Sequence, residues 1–103
     1  MARVVISTVA QADTASILRD LAAKAGRQVA ADYASSFETL YERLSAHPAS
    51  GSPRVHYGAN VRVCIVSPYI VAYRHVPGAD LVEVIRLLHG SRLISRRLLG
   101  RAD

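Results

Sequence analysis

Three consecutive apolar, β-branched runs in the second half of the chain constrain its fold more than any other feature. They are 60–67 (NVRVCIVS), 69–76 (YIVAYRHV) and 81–89 (LVEVIRLLH), separated by a connection at Pro68 and a turn at 77–80. Runs of this length and composition, bounded by turn residues, are typical of strands. Because the connections are so short, we expect a three-stranded antiparallel sheet over 60–90.

The first half of the chain has a different hydrophobic period. Residues 3–9 (RVVISTV) are β-branched and predict an N-terminal strand within 1–9. From Gln11 onwards, apolar residues recur at spacings of three and four, as on one face of a helix: Ala15, Leu18, Leu21, Ala22 and Ala25. Asp13 or Thr14 is the expected N-cap of this helix, and Gly26 is expected to end it in the left-handed conformation.

A second helix is predicted from residue 27 to about residue 45. Its apolar stripe consists of Val29, Ala30, Tyr33, Phe37, Leu40, Tyr41 and Leu44, and Pro48 makes continuation past His47 unfavourable. The two helices are joined by so short a turn that they predict an antiparallel hairpin over 11–46. Residues 47–60, with two prolines and two glycines, read as a loop.

These elements predict a single α+β domain covering 1–103, in the order β-α-α-β-β-β. The first strand has to return beside the last three, and the helical hairpin covers one face of the sheet. The other face is expected to be partly open and lined by arginine side chains. The remaining segment, 91–103 (SRLISRRLLGRAD), is a basic tail that forms a short amphipathic helix or stays unfolded until it binds a partner.

Charge is concentrated in the second half of the chain. Residues 48–103 hold eight arginines and three carboxylates, which accounts for the whole formal charge of +5. Such an imbalance indicates an acidic partner, either a nucleic acid or an acidic polypeptide.

Several classes of protein are disfavoured by composition. The single cysteine, Cys64, excludes an internal disulfide framework and is expected to be a small buried hydrophobe. The four histidines are scattered, so no metal site is predicted, and no motif indicates a cofactor. No signal pattern and no apolar run of membrane-spanning length is visible, so we expect a cytoplasmic protein without a membrane partner.

Three arginines interrupt the predicted strands. Arg74 precedes the 77–80 turn and Glu83 follows it, so these two side chains are expected to pair across a hairpin. Arg62 and Arg86 lack an acidic residue at a matching offset. They are therefore the stronger candidates for contact with a partner. Tyr33, Phe37 and Tyr41 recur at four-residue spacing and indicate packing in the helical hairpin.

Taken together, the motifs resemble the ParE branch of the ParE/RelE toxins of bacterial type II toxin–antitoxin modules. The matching residues are His47-Pro48…Gly51, Val61-Arg62-Val63, Pro68-Tyr69…Tyr73-Arg74 and the closing run 82–92, VEVIRLLHGSR. The helical hairpin and the chain length also fit. The resemblance implies a small toxin that is neutralised by the C-terminal segment of a cognate antitoxin.

Two activities are implied by this resemblance: ParE-like members poison DNA gyrase, and RelE-like members cleave messenger RNA on the ribosome. A RelE-like site resembles a cluster of cations that hold the scissile phosphate, often followed by a tyrosine. Arg62 and Arg92 occupy two of its arginine positions. No tyrosine follows Arg92, and the loop before the second strand offers Arg54 and His56 but no lysine. This departure favours a non-enzymatic inhibitor of gyrase.

For such a toxin, the antitoxin is expected to contact Arg62, Arg74, Arg86, Arg92, Tyr33 and Phe37, in a hetero-oligomer. The gyrase contacts are expected in the basic tail, at Arg92, Arg96, Arg97 and Arg101, because this segment is basic, leucine-rich and outside the predicted core. Two alternatives stay open: a ribosome-dependent ribonuclease using Arg62, Arg86, His89 and Arg92, and an inactive relative that binds antitoxin only.

Overall fold

A computed structural model describes residues 1–90 of the protein. Its strands are β1 (Arg3–Ile6), β2 (Ser52–Pro53), β3 (Val61–Val66), β4 (Tyr69–Val76) and β5 (Leu81–His89), and its helices are α1 (Thr8–Ala25) and α2 (Arg27–Ala46). Short 3-10 turns occupy Val55–Tyr57 and Pro77–Ala79. The predicted α+β class and helical hairpin are confirmed.

Helix α1 begins earlier than predicted because Ser7 caps it. The Ser7 hydroxyl accepts a hydrogen bond from the Ala10 N–H at 3.0 Å, so the expected caps Asp13 and Thr14 lie inside the helix. The N-terminal strand consequently ends at Ile6, and the prediction that it continues to Val9 was wrong. Gly26 does end α1, but at φ 100° and ψ 162°, which is not the left-handed helical conformation.

Within the described residues, the sheet has five strands in the order β1-β5-β4-β3-β2 and is mixed. Strands β3, β4 and β5 are antiparallel neighbours, whereas β1 pairs with β5 in parallel. A purely antiparallel three-stranded sheet was therefore an incomplete prediction. The fifth strand, β2, lies in the predicted 47–60 loop and pairs with Arg62 and Val63. Pro53 is tolerated there because β2 is at the sheet edge, where a missing N–H leaves no ladder bond unmade.

The helical hairpin covers one face of the sheet, which we call the hairpin face. Phe37, Leu40 and Leu44 of α2 are buried against alternate side chains of β4 and β5, such as Val71 and Val84. Tyr33 and Tyr41 pack at the margin of this cluster, so the predicted core role of the helical aromatic residues is confirmed. Cys64 is 5% exposed in the same cluster, as predicted.

The opposite side of the sheet, which we call the second face, is apolar. Val61, Val63, Ala72 and Ile85 form a buried cluster there, and Ile70 packs against it. The expected lining of arginines is wrong for Arg62, because strand alternation places it on the hairpin face with Cys64. Arg74 and Arg86 are ladder partners of residues on the second face, although the Arg86 guanidinium binds Asp13 of α1.

Candidate functional site

Arg86 is held by a carboxylate that lies far away in the sequence. Its Nε and Nη2 donate to Asp13 at 2.7 and 3.1 Å, a two-pronged pair whose side chains are only 16% and 15% exposed. Asp13 also accepts the Leu87 N–H at 3.0 Å. Arg86 has no acidic partner across the sheet, as predicted, but it has one within the chain, because Asp13 reaches it from α1.

The same carboxylate completes the edge of the sheet. β1 stops opposite Val84, so among residues 1–90 no strand lies beside the rest of β5 on that side. The Ser7 hydroxyl donates to the Ile85 carbonyl at 3.1 Å, and Asp13 accepts from Leu87. A β-bulge at this point leaves Ile85 outside the pairing with β4. Ser7 and Asp13 thus satisfy backbone groups that a longer β1 would have satisfied.

Arg62 and Tyr73 hold the loop that follows α2. Arg62 Nη1 donates to the carbonyls of Ala49 and Gly51 at 3.0 and 2.7 Å. The buried Tyr73 hydroxyl donates to the Pro48 carbonyl at 2.7 Å and accepts the Gly51 N–H at 2.9 Å. Burial raises the pKa of Tyr73, and the hydrogen bond from Gly51 lowers it in part. We call these contacts the loop clamp.

Gly51 has no room for a side chain in the loop clamp. A Cβ at this position would lie 2.7 Å from the Tyr73 hydroxyl oxygen and 2.9 Å from the Val63 carbonyl oxygen. The clamp brings together residues from three parts of the sequence pattern: Pro48 and Gly51, Arg62, and Tyr73. Tyr73 and Gly51 were missed as structural determinants, although both belong to that pattern.

Arg74 pairs with Glu83, as predicted. The two residues are direct partners in the β4–β5 ladder, and Arg74 Nη1 lies 3.6 Å from Glu83 Oε1. Both side chains are about two-fifths exposed, at 39% and 43%. Exposed pairs of this kind contribute at most about 1 kcal/mol, so Arg74 is available to another carboxylate at little cost.

Tyr33, Phe37 and His89 converge on Tyr69 at one end of the sheet. The ring centroids of Tyr33, Phe37 and His89 lie 5.5, 6.1 and 5.7 Å from that of Tyr69, all edge-on. The Tyr33 hydroxyl also donates to the Ser67 carbonyl at 3.1 Å. Burial is the main cause that raises the pKa of Tyr69. Among the predicted ribonuclease residues, Arg62 belongs to the loop clamp, Arg86 binds Asp13 and His89 lies against Tyr69.

A groove of about 700 Å³ lies between β1 and the helical hairpin and was not predicted. It is lined by Val4, Val5, Ile6, Gln11, Thr14, Ala15, Leu18, Ala34, Phe37, Glu38 and Tyr41. Because β1 is the last strand of the sheet, its free edge borders this groove. The apolar stripe of α1 was visible in the sequence, but the stripe alone could not show that part of it stays uncovered.

The Tyr41 hydroxyl at this groove has no hydrogen-bond partner among residues 1–90. The neighbouring Thr14 hydroxyl donates to the Ala10 carbonyl at 2.8 Å instead. Burial raises the pKa of Tyr41 to about 12, and the proximity of Thr14 lowers it slightly. A buried hydroxyl without a partner is costly, which marks this position as strained in the isolated chain.

Three further observations delimit the site. Arg92, Arg96, Arg97 and Arg101 lie outside the described residues. Neither helix of residues 1–90 is long and apolar enough to cross a membrane. Within the same residues, no three or more His, Cys, Asp or Glu side chains are grouped so that they could hold a metal ion.

These features define a small α+β domain with a basic second half and an apolar groove between β1 and the helical hairpin. A sequence profile of the family described as "ParE toxin of type II toxin-antitoxin system, parDE" matches residues 4–94. Toxin ParE3 of Caulobacter vibrioides is 31% identical over 98 residues, which cover 95% of this chain and 96% of that toxin. The chain belongs to the ParE toxin family.

Solved structures share the fold. The chromosomal ParDE toxin–antitoxin system of P. aeruginosa contains a chain that aligns with a TM-score of 0.71 at 19% identity, over 86% of this chain and 96% of that one. A chain of the RelBE2 toxin–antitoxin complex of Mycobacterium tuberculosis aligns with a TM-score of 0.61 at 21% identity, over 85% and 96%. At these identities the likeness concerns the fold alone.

Proposed function

We propose that this ParE-type toxin inhibits DNA gyrase in the cytoplasm without catalysing a reaction, and that a cognate antitoxin neutralises it. Membership of the ParE family is the observation that carries the proposal. The hydrogen bonds that Arg62 and Arg86 make within the fold support it further.

A ribonuclease of the RelE kind needs cations that are free to hold a phosphate and stabilise developing charge. Arg62 donates hydrogen bonds to two loop carbonyls, and Arg86 forms a largely buried ion pair with Asp13. Releasing either guanidinium would break hydrogen bonds that hold the fold together. The arrangement therefore favours an inhibitor that acts by binding. The structural likeness to the RelBE2 complex keeps the ribonuclease as the alternative to be tested.

We place the apolar part of the antitoxin in the groove between β1 and the helical hairpin. Phe37, an expected antitoxin contact, lines this groove, and Tyr33 lies nearby against Tyr69. An amphipathic segment that entered the groove would bury its apolar side and could also pair with the free edge of β1. The antitoxin is the chosen occupant because this family is defined by its toxin–antitoxin pairs.

Acidic residues of the antitoxin would then pair with arginines outside the groove. Arg74 is the best placed of these, because it is exposed and its bond to Glu83 is weak. Arg92 remains a proposed contact in the tail. Arg62 and Arg86 would add long-range attraction but few direct bonds, since their donors are already engaged. Arg74 lies on the second face, so a segment that reaches both places has to wrap around the domain.

Paired α1 variants test the antitoxin site. Ala15→Glu puts a charge at the groove, whereas Ala23→Glu changes another exposed alanine of the same helix that does not line it. We expect Ala15→Glu to weaken antitoxin binding at least tenfold by calorimetry and Ala23→Glu to leave it unchanged. Equal affinities for the two variants would remove the groove from the proposal.

The basic tail is the proposed gyrase contact, through Arg92, Arg96, Arg97 and Arg101. A supercoiling assay with purified gyrase tests this directly. The full chain should inhibit supercoiling, added antitoxin should restore it, and Arg96→Glu/Arg97→Glu should inhibit far less while still binding antitoxin. An unchanged inhibition by the double variant would move the gyrase contact elsewhere on the domain.

A further inference from the structure

The free edge of β1 carries backbone groups that point away from the sheet. The Arg3 N–H donates to the Asp80 carbonyl at 2.9 Å and the Ser7 N–H to the Val84 carbonyl at 3.0 Å, so the odd-numbered residues of this stretch bond to β5. In a parallel ladder the alternate residues direct their N–H and C=O groups to the opposite side. The outward-facing residues are Ala2, Val4 and Ile6.

Ser45 and Gln11 close the two ends of this edge. The Ala2 N–H donates to the Ser45 carbonyl at 2.8 Å, and the Ser45 hydroxyl donates to the Ala2 carbonyl at 2.7 Å. At the other end, Gln11 Nε2 donates to the Ile6 carbonyl at 2.9 Å. Within residues 1–90, three outward groups are left without a partner: the Val4 N–H, the Val4 carbonyl and the Ile6 N–H.

The two sides of β1 differ in chemical character. Val4 and Ile6 are partly buried against the core cluster of the hairpin face, and both line the groove. By strand alternation Arg3 points to the other side, where it is exposed and has no ion-pair partner within residues 1–90. A segment added along this edge would therefore place apolar side chains beside Val4 and Ile6 and an acidic side chain beside Arg3.

A second copy of this chain fits the edge poorly. In antiparallel pairing about a two-fold axis, a register that places the two copies of Val4 opposite each other gives two bonds, because the next position is Ala2, whose N–H and C=O are engaged. A register centred on Val5 brings in the Ile6 carbonyl, which Gln11 occupies, and again gives two bonds. A separate extended segment, with all its own groups free, makes three.

We propose that the antitoxin adds one short extended strand to β1, held by backbone hydrogen bonds to Val4 and Ile6, and that Gln11 fixes where this strand ends. The inference rests on the proposed antitoxin site and narrows it: the segment in the groove is extended, with apolar residues towards the groove and an acidic residue beside Arg3. Gln11 determines specificity because its carboxamide takes the acceptor that a longer strand would use.

Amide hydrogen exchange of the full chain, with and without antitoxin, tests the pairing directly. In the free chain the Val4 and Ile6 amides should exchange faster than those of Val5 and Ser7, which face β5. Bound antitoxin should slow the Val4 and Ile6 amides by at least about tenfold. Unchanged exchange at both would overturn the inference. So would slow exchange in the free chain that depends on its concentration, which would assign the edge to a second copy.

Two Val4 variants separate strand pairing from side-chain packing. Val4→Pro and Val4→Ala both remove apolar side-chain area, but only proline removes the outward N–H, a loss that an edge strand tolerates. We expect Val4→Pro to bind antitoxin at least about fivefold more weakly than Val4→Ala, with both variants folded by circular dichroism. Equal affinities of two folded variants would overturn the pairing. If the proline variant does not fold, the exchange measurement on the unmodified chain decides.

Gln11→Ala tests the role of the glutamine. The substitution frees the Ile6 carbonyl for a fourth backbone bond, so the variant should bind antitoxin at least about threefold more tightly than the wild type. Gln28→Ala is the matched control, because Gln28 bonds to Asp32 on the exposed surface of α2 and does not line the groove. An affinity of Gln11→Ala at or below that of Gln28→Ala would overturn the assigned role of Gln11.

Failure of this inference is distinguishable from failure of the proposed antitoxin site. If the antitoxin does not use the groove, Ala15→Glu binds it like the wild type. If the antitoxin uses the groove without adding to β1, Ala15→Glu binds weakly, but Val4 and Ile6 exchange as in the free chain. Both results overturn the strand addition, and only the first removes the antitoxin site.

Discussion

Removal of the Asp13 carboxylate should destabilise the fold more than removal of the Arg86 guanidinium that it binds. Asp13→Ala leaves Arg86 charged at 16% exposure and leaves the Leu87 N–H without its acceptor. Breaking a buried pair from one side costs about 3–5 kcal/mol, and the residual exposure here reduces that to about 2 kcal/mol. The unpaired N–H adds about 1 kcal/mol. The expected loss is therefore about 3 kcal/mol.

Arg86→Ala should cost less, about 2 kcal/mol, because Asp13 keeps its hydrogen bond from Leu87. Urea denaturation of both single variants and the double variant measures these free energies of unfolding, and the cycle isolates the coupling. Arg74→Ala is the matched control: its exposed pair with Glu83 should cost less than about 1 kcal/mol. An Asp13→Ala loss below about 1 kcal/mol, or a larger loss for Arg86→Ala, would refute this account of the sheet edge.

Three further predictions concern single side chains. Tyr41→Phe should stabilise the isolated chain by about 1 kcal/mol at neutral pH, because it removes a buried hydroxyl that has no partner among residues 1–90. The pKa of Tyr41 is raised to about 12 in the folded protein, against 10 in the unfolded chain, so the unfolded state ionises first as the pH rises. The wild type should therefore lose stability between pH 10 and 12, and the phenylalanine variant should lose less. Parallel curves of unfolding free energy against pH would contradict this. Gly51→Ala should destabilise the protein by about 1–3 kcal/mol because the new methyl group would contact Tyr73, and Tyr73→Phe by a similar amount because it breaks the loop clamp. Urea denaturation measures both, and variants with wild-type unfolding midpoints would show that the clamp is dispensable. Ser7→Ala should lower the free energy of unfolding by about 1–2 kcal/mol because α1 loses its N-cap, whereas Ser16→Ala in the same helix should be nearly neutral. Equal melting temperatures for these two variants would contradict the role of Ser7 as the cap.

Local patterns predicted much of the fold because they depend on nearby residues. The apolar stripe around Phe37 predicted a helix, and the offset of Arg74 from Glu83 across a short turn predicted their pairing. Both are confirmed. In each case the physical cause, a helical or strand period, repeats within about ten residues of the chain.

Long-range contacts were beyond the reach of such patterns. Asp13 and Arg86 are 73 positions apart, and the cap actually formed by Ser7 is what places Asp13 inside α1, where it can meet β5. Four residues do not indicate whether β1 runs parallel or antiparallel to its neighbour, so its parallel pairing with β5 could not be predicted. Arg62 was assigned to the second face because alternation along one strand does not show which side the helices cover.

We propose that this ParE family member acts on gyrase by binding rather than by cutting RNA. Plasmid topology and messenger RNA integrity, measured in the same cells after the toxin is induced without antitoxin, test it most directly. We expect linearised plasmid DNA, intact message by primer extension, and reversal of both growth arrest and plasmid damage when antitoxin is supplied. Codon-phased cuts in translated message with undamaged plasmid would contradict the claim and assign the ribonuclease instead. Normal growth with both nucleic acids intact would also contradict it, and would indicate an inactive relative that binds antitoxin only.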